Sequence, residues 1–335
     1  MKVGMATALA VTMAATLAQG ADAQTKTPGG AINQNLGEMD YGVCRGTDPG
    51  CFHDWPRTPT TEYRVLLFTR TAGPRHANLG PALAPGLNPP LTDANVVQKG
   101  MLKLAAENGW KIDYTEDVSQ MTSLTGYNAV IFFSTSRDNL DDGAKTALRQ
   151  YMRAGGGFVG IHNAFGTLYN WPYYEGLLGG ANFYDHDPQR DGEVVIVDAK
   201  DASTKGLPIR WKLKDEWYNL VPFPTKVRFL ATVDEKTYGA VERPPTGPRE
   251  GTLTPGATVP PPPRLPSVVG RSPGHGEFHP VAWCQYYDGG KAWLTTLGHD
   301  AKLFTTDGSF AGAAEFQKMI TGGIKSVMGV EPFCQ

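Results

Sequence analysis

The sequence predicts an α/β fold with a mostly parallel central sheet and helices on both faces. Three observations lead there. Short, almost wholly apolar runs recur along the first half of the chain, as expected for strands buried on both faces. Segments with helix start and stop signals separate those runs. The alternation of the two implies parallel strands joined by crossover helices.

Taken in order, Arg64–Thr69 (RVLLFT) is the first such strand. A loop with several Pro and Gly residues follows from Pro74 to Pro90, and then a helix from a cap at Asp93 to Glu107, closed by Asn108-Gly109. Lys111–Thr115 and Tyr127–Ser134 read as the second and third strands. A helix from Asp141 to Ala154 stops at Gly155–Gly157, and Phe158–His162 is the fourth strand. Gly192–Val197 and Arg228–Thr232 read as later strands. Val281–Tyr286 and Ala292–Thr296 read as a hairpin around Asp288-Gly289-Gly290, and a last helix runs from Gly312 to about Val327.

Both ends of the reading have their own signals. Lys2, the apolar run Val3–Leu17 and the small-x-small site Ala21-Asp22-Ala23 have the layout of a secretory signal peptide, residues 1–23. The mature protein is then expected to begin near Gln24, in the periplasm or outside the cell, with no membrane span left after cleavage. Residues 24–61 read as an extension held by a local disulfide, and 62–330 as the folded domain. Within that domain, 244–273 is a Pro/Gly-rich insertion that includes Pro260–Pro263. Four cysteines allow three pairings. Proximity favours Cys44 with Cys51, which leaves Cys284 for Cys334. A net charge of −2 lacks the basic excess of a nucleic-acid surface. No P-loop is present, and no GxGxxG fingerprint follows a strand.

In parallel sheets ligands gather at the carboxyl ends of the strands. Thr71–His76, Ser134–Arg137, His162–Thr167 and Gly298-His299 all fall there. Five of the seven histidines, His76, His162, His186, His279 and His299, lie at strand ends or beside aromatic clusters. Imidazole exchanges protons near neutral pH and is the commonest metal ligand. His162 follows a buried strand at the elbow where other α/β enzymes present a nucleophile. Asp215 and Glu216 are carboxylates able to orient a histidine or accept sugar hydroxyls. Trp171, Tyr173 and Tyr174 are aromatic faces of the kind that stack on sugars.

Five segments in order, FTRTAGPRH (68–76), GIHNAFGTLYNWPYYEGLLGGANFYDH (160–186), DEWYN (215–219), HPVAW (279–283) and LGHD (297–300), resemble the ThuA-like (trehalose utilisation) family. The resemblance implies a flavodoxin-like, class I glutamine amidotransferase-like three-layer sandwich, with His162 at the elbow that holds the amidotransferase cysteine. It implies a small-molecule carbohydrate as partner and keeps a divalent metal open as cofactor. The expected catalytic group is His76, His162, Asp215, Glu216, His279 and His299. The expected substrate-binding group is Arg75, Asn163, Trp171, Tyr174, His186 and Trp217. One departure stands out: Gly166 occupies a position where the family pattern leads one to expect Asp. The functional expectation is an exported enzyme acting on a sugar or keto-sugar by histidine acid/base chemistry. The alternatives are a carbohydrate-binding protein without turnover and a metal-dependent hydrolase.

Overall fold

A computed structural model describes residues 41–55, 62–239 and 274–335. The expected signal peptide, the Pro/Gly-rich insertion and most of the N-terminal extension lie outside the described residues. Val43–Gln335 form one compact unit. Among the described residues no helix is long and apolar enough to cross a membrane.

The strands in chain order are β1 (Arg45–Gly46), β2 (Arg64–Phe68), β3 (Lys111–Thr115), β4 (Ala129–Phe133), β5 (Gly157–Ile161), β6 (Phe183–His186), β7 (Arg190–Ile196), β8 (Arg210–Asp215), β9 (Tyr218–Leu220), β10 (Arg228–Asp234), β11 (His279–Tyr287) and β12 (Gly290–Thr295). The helices are α1 (Val96–Asn108), α2 (Asp142–Arg153), α3 (Pro172–Leu177) and α4 (Ala313–Met328). The main sheet runs β3-β2-β4-β5-β12-β11-β10-β7-β8, with β1 on β11. Strands β3, β2, β4, β5 and β12 pair in parallel, and the rest of the sheet continues antiparallel from β11. Strands β6 and β9 form a separate two-stranded sheet.

The inner strands β2, β4 and β5 of the parallel block are sealed on both faces, which is why they read as almost unbroken apolar runs, whereas the edge strand β3 is only partly buried. Every residue of β4 is buried. Val65, Leu67, Ile131, Phe133, Val159 and Ile161 face one core with Met101 of α1 and Phe316 of α4. On the opposite face Tyr174 of α3 packs on Phe132 and Phe158, and Met152 of α2 crowds the backbone of Gly290. Helices therefore cover both sides and give three layers.

Most boundaries agree with the sequence reading within one or two residues. Asp141 caps α2 by accepting the Ala144 N–H at 2.8 Å. The β11–β12 hairpin turns through Asp288 (φ +48°) and Gly289 (φ +92°), the left-handed pair that a two-residue hairpin needs. One expectation is corrected. Asp93 does not cap α1; it pairs with Lys99 on the surface, and Asn95 precedes the helix. The Asn95 amide is itself committed, donating to the carbonyls of Leu79 and Pro81 and accepting from Thr92. The sequence reading contains no strand at β1, β6, β8 or β9.

Both disulfides form as proximity suggested, Cys44–Cys51 and Cys284–Cys334. The described part of the extension is tied to the sheet by β1 and by the Asp288 N–H donating to the Cys44 carbonyl.

Candidate functional site

The loops at the carboxyl ends of β2, β4, β5 and β12 are stitched together. Thr71 bridges to Ser136 and Arg137 to Thr167. Asn78, in the loop after β2, donates to the carbonyls of Gly298 and His299 at 2.9 Å each. Four non-glycine residues on this rim have left-handed backbones: Ser134 (φ +48°), Arg137 (+58°), His162 (+52°) and Leu168 (+52°). Such strain persists only where the surroundings enforce it, and it concentrates at functional sites.

His162 stands at the elbow anticipated after β5 and is fully buried. Its Nδ1 lies 2.9 Å from the Thr296 carbonyl, which only accepts, so Nδ1 carries the hydrogen and Nε2 the lone pair. Burial first, and then the neighbouring His76, push its pKa well below the ordinary histidine value, so the ring stays neutral. Two groups crowd that lone pair, His76 Nε2 at 3.1 Å and the Tyr218 hydroxyl at 3.0 Å. Gly298 makes room for the ring. With φ +136°, a Cβ there would lie 3.0 Å from that of His162.

Glu216 completes the cluster. Its Oε2 is 3.0 Å from His299 Nδ1, 3.7 Å from His162 Nε2 and 3.8 Å from His76 Nε2. Burial opposes its ionisation, but the imidazoles of His299 and His76 outweigh that and hold the carboxyl far below the usual range. Burial likewise opposes charge on His299, and the Glu216 carboxylate reverses it and raises that pKa. The close His299–Glu216 pair is not aligned as a hydrogen bond. Both atoms, and His76 Nδ1 as well, are buried without a hydrogen-bond partner.

His76, His162, Glu216 and His299 thus offer four ligand atoms within 4.8 Å of one another. A tetrahedral ion with bonds of ~2.0–2.1 Å has ligand–ligand edges of about 3.3–3.4 Å; four of the six spacings, at 3.0–3.8 Å, bracket that value, and all six lie within 4.8 Å. Three imidazoles and a carboxylate suit a divalent first-row transition metal. A carbonyl fixing the outer nitrogen of His162 is the usual support of a ligating histidine. The residues fit such an ion.

The remaining expected residues are placed as follows. His186 is on the rim, its Nε2 3.6 Å from Glu216 Oε2 and its Nδ1 2.7 Å from the Asp187 carbonyl. Asp215 is fully buried beneath the cluster. One oxygen accepts the Gly298 N–H at 2.8 Å, and the other accepts those of Glu216 and His299 at 2.8 and 3.1 Å. It joins the end of β8 to the loop after β12 and presents no oxygen to a ligand. Burial raises its pKa to about 7, against those N–H groups.

His279 does not join the other imidazoles. It is buried, with Nε2 on the Tyr218 carbonyl at 2.9 Å and Nδ1 on Glu235 at 2.8 Å, so it positions the strand that carries Tyr218. Arg75 is spent on Glu116 and on the carbonyls of Leu79, Gly80 and Pro81. Trp217 stacks on Tyr238 and donates to the Arg190 carbonyl. Tyr174 packs under the elbow with its hydroxyl on the Ala164 carbonyl, and Trp171 stacks on Tyr173 and Tyr174. Asn163 donates to the Thr135 carbonyl. Its Oδ1 would lie 2.3 Å from a Cβ at position 166, so its amide fills the space where the expected Asp side chain would begin. Gly166 is not among the four clustered residues.

Tyr218 was not anticipated. Its ring stacks on His162 with centroids 4.6 Å apart, and burial raises its pKa well above the ordinary phenol value. The DEWYN segment contains it, but no spacing in the sequence distinguishes it from Trp217.

The sequence profile of the ThuA family, described as trehalose utilisation, matches residues 64–326. The chain belongs to the ThuA family. Among solved structures it is similar to a putative ThuA-like protein from Bacteroides uniformis ATCC 8492, with TM-score 0.55, 19% identity, and coverage of 81% of this chain and 96% of that one. It is also similar to a putative ThuA-like protein from Parabacteroides merdae ATCC 43184, with TM-score 0.54, 16% identity, and coverage of 82% and 92%. At these identities the likeness concerns the fold. No match was found among curated proteins.

Proposed function

We propose that this ThuA-family chain is a divalent-metal enzyme that moves protons on a sugar or keto-sugar outside the cytoplasm. The observation that carries the reading is the convergence of His76, His162, Glu216 and His299 on one point at the carboxyl rim of the sheet. A divalent ion held there supplies Lewis-acid polarisation of a substrate oxygen. The protein's own part is assigned to side chains around the cluster. Donation to the Asp187 carbonyl leaves the lone pair of His186 on Nε2, beside the cluster, and the side chain keeps 28% of its surface in solvent. His186 is therefore the group placed to take a proton from a substrate carbon or hydroxyl. Tyr218, held as a neutral phenol, is a hydrogen-bond donor at the floor. The carbohydrate assignment is supported by the family's association with trehalose utilisation and by the aromatic residues of the rim. Two disulfides and the N-terminal layout support export.

The test is turnover of a panel of disaccharides and keto-sugars in D₂O, followed by NMR, with and without chelator. The expected result is product formation or deuterium uptake that chelator abolishes. His186→Ala should lower it roughly 10²–10⁴-fold while leaving the metal content intact. Full turnover in His186→Ala would remove that residue from the reaction. Binding without turnover across the panel would favour a carbohydrate-binding protein instead.

A further inference from the structure

Beside the histidine cluster lies an open cleft of about 550 Å³ lined by Arg137, Asp138, Tyr169, Asn170, Phe183 and Tyr184, with Leu168. It abuts the cluster through Phe183, whose ring is 4.5 Å from that of Tyr218 and 5.6 Å from that of His186. Arg137 is fixed with unusual care for an exposed residue. Its backbone is left-handed, its N–H donates to the Gly166 carbonyl, and its carbonyl accepts from Leu168. Its aliphatic stem runs against Gly73 so closely that a Cβ there would sit 2.3 Å from Cγ. The guanidinium carbon stands 5.6 Å from the centroid of the Tyr169 ring. Tyr169 is itself pinned by its hydroxyl to the Phe183 carbonyl at 3.2 Å. Among the described residues the guanidinium makes no hydrogen bond and no ion pair. The one acid in the cleft, Asp138, is engaged by Lys145 at 3.1 Å.

A guanidinium whose backbone and stem are fixed, and which has no counter-ion among the described residues, has five donors and a charge to offer. Its planar fork matches a carboxylate in two parallel hydrogen bonds. The tyrosine and phenylalanine side chains around it give a ring-sized apolar wall of the kind that covers sugar C–H faces.

The geometry points to a substrate class: a sugar bearing a carboxylate, gripped by Arg137, with its ring against Tyr169, Phe183 and Tyr184 and its reacting end towards His186. This deepens the sugar-enzyme reading above and rests on it.

The test is calorimetry on the full chain with D-glucuronate, D-glucose and D-glucose 6-phosphate as probes. Glucuronate should bind about tenfold or more tighter than glucose, the worth of a charge-assisted hydrogen-bonded pair. Arg137→Gln should abolish that preference and Arg137→Lys should keep part of it. His162→Ala should leave the preference in place, and Arg137→Gln should leave metal content unchanged. Equal affinity for glucose and glucuronate, binding of neither, preference for the phosphate, or a preference surviving Arg137→Gln would each overturn the proposal. Loss of the metal reading alone would show as absent metal with the glucuronate preference intact, so the two failures are distinguishable.

Discussion

At the scale of single residues, the hydrogen bond on the outer nitrogen of His162 decides which nitrogen faces the cluster with a lone pair. His162 donates to a carbonyl and so keeps its lone pair inward. The same logic sets a pH dependence away from the cluster. His275 accepts the Leu220 N–H on Nε2 at 3.0 Å, and burial together with His279 lowers its pKa to about 4. Below the unfolded value of about 6.5 the unfolded chain takes a proton there and the folded chain does not. Stability should therefore fall as pH drops from about 6.5 to about 4. In His275→Gln, urea unfolding measured across that window should show a shallower loss than wild type; an identical slope would contradict the assignment.

At the scale of elements, close approach decides where small residues sit. Helix α4 lies so near β12 that a Cβ on Gly323 would meet the Trp293 indole at 2.3 Å, and Trp293 is completely buried. Alanine would improve helix propensity by up to ~1 kcal/mol, but overpacking costs about 1–3 kcal/mol. Gly323→Ala should lower the urea midpoint, and an unchanged or raised midpoint would show that the layers can slide. The same scale explains what was legible in the sequence. Strands β2, β4 and β5 announce themselves because both faces are buried, and Asp141 marks α2 because its carboxylate has a local job. Arg210–Asp215 alternates exposed and buried, with Arg210, Lys212 and Lys214 outward and Trp211 and Leu213 inward, so its period of two was legible in the sequence up to the buried Asp215. The short β6 and β9 are only four and three residues long and are defined by each other. The clustering of His76, His162 and His299 follows from strand ends and was foreseeable. The exclusion of His279 was not, because only the tertiary pairing with Glu235 and the Tyr218 carbonyl turns it away. The roles of Arg75, Asp215 and Trp217 were obscured for a similar reason: a charged or aromatic side chain in a loop reads the same whether it binds backbone or ligand.

At the scale of the molecule, a ten-stranded sheet brings the end of β8, an edge strand, to the same rim as the ends of β2, β5 and β12. The buried Asp215 carboxylate is the joint between them. The chain's far end is tied in by Cys284–Cys334, which closes a separation of 50 residues, against 7 for Cys44–Cys51. Loop-closure entropy assigns about 4 kcal/mol to the first and about 2 kcal/mol to the second. Replacing Cys284 and Cys334 by alanine should thus destabilise the protein more than replacing Cys44 and Cys51, as read from paired urea titrations. The reverse order would mean that strain or residual structure outweighs chain entropy.

The most direct test of the whole account is the metal content of untagged protein after exposure to divalent first-row metals and removal of excess. One ion per chain is expected in the wild type, with near-complete loss in Glu216→Gln and His162→Ala variants whose circular dichroism is unchanged. A folded wild type that retains no stoichiometric ion, or variants that retain as much as the wild type, would contradict it.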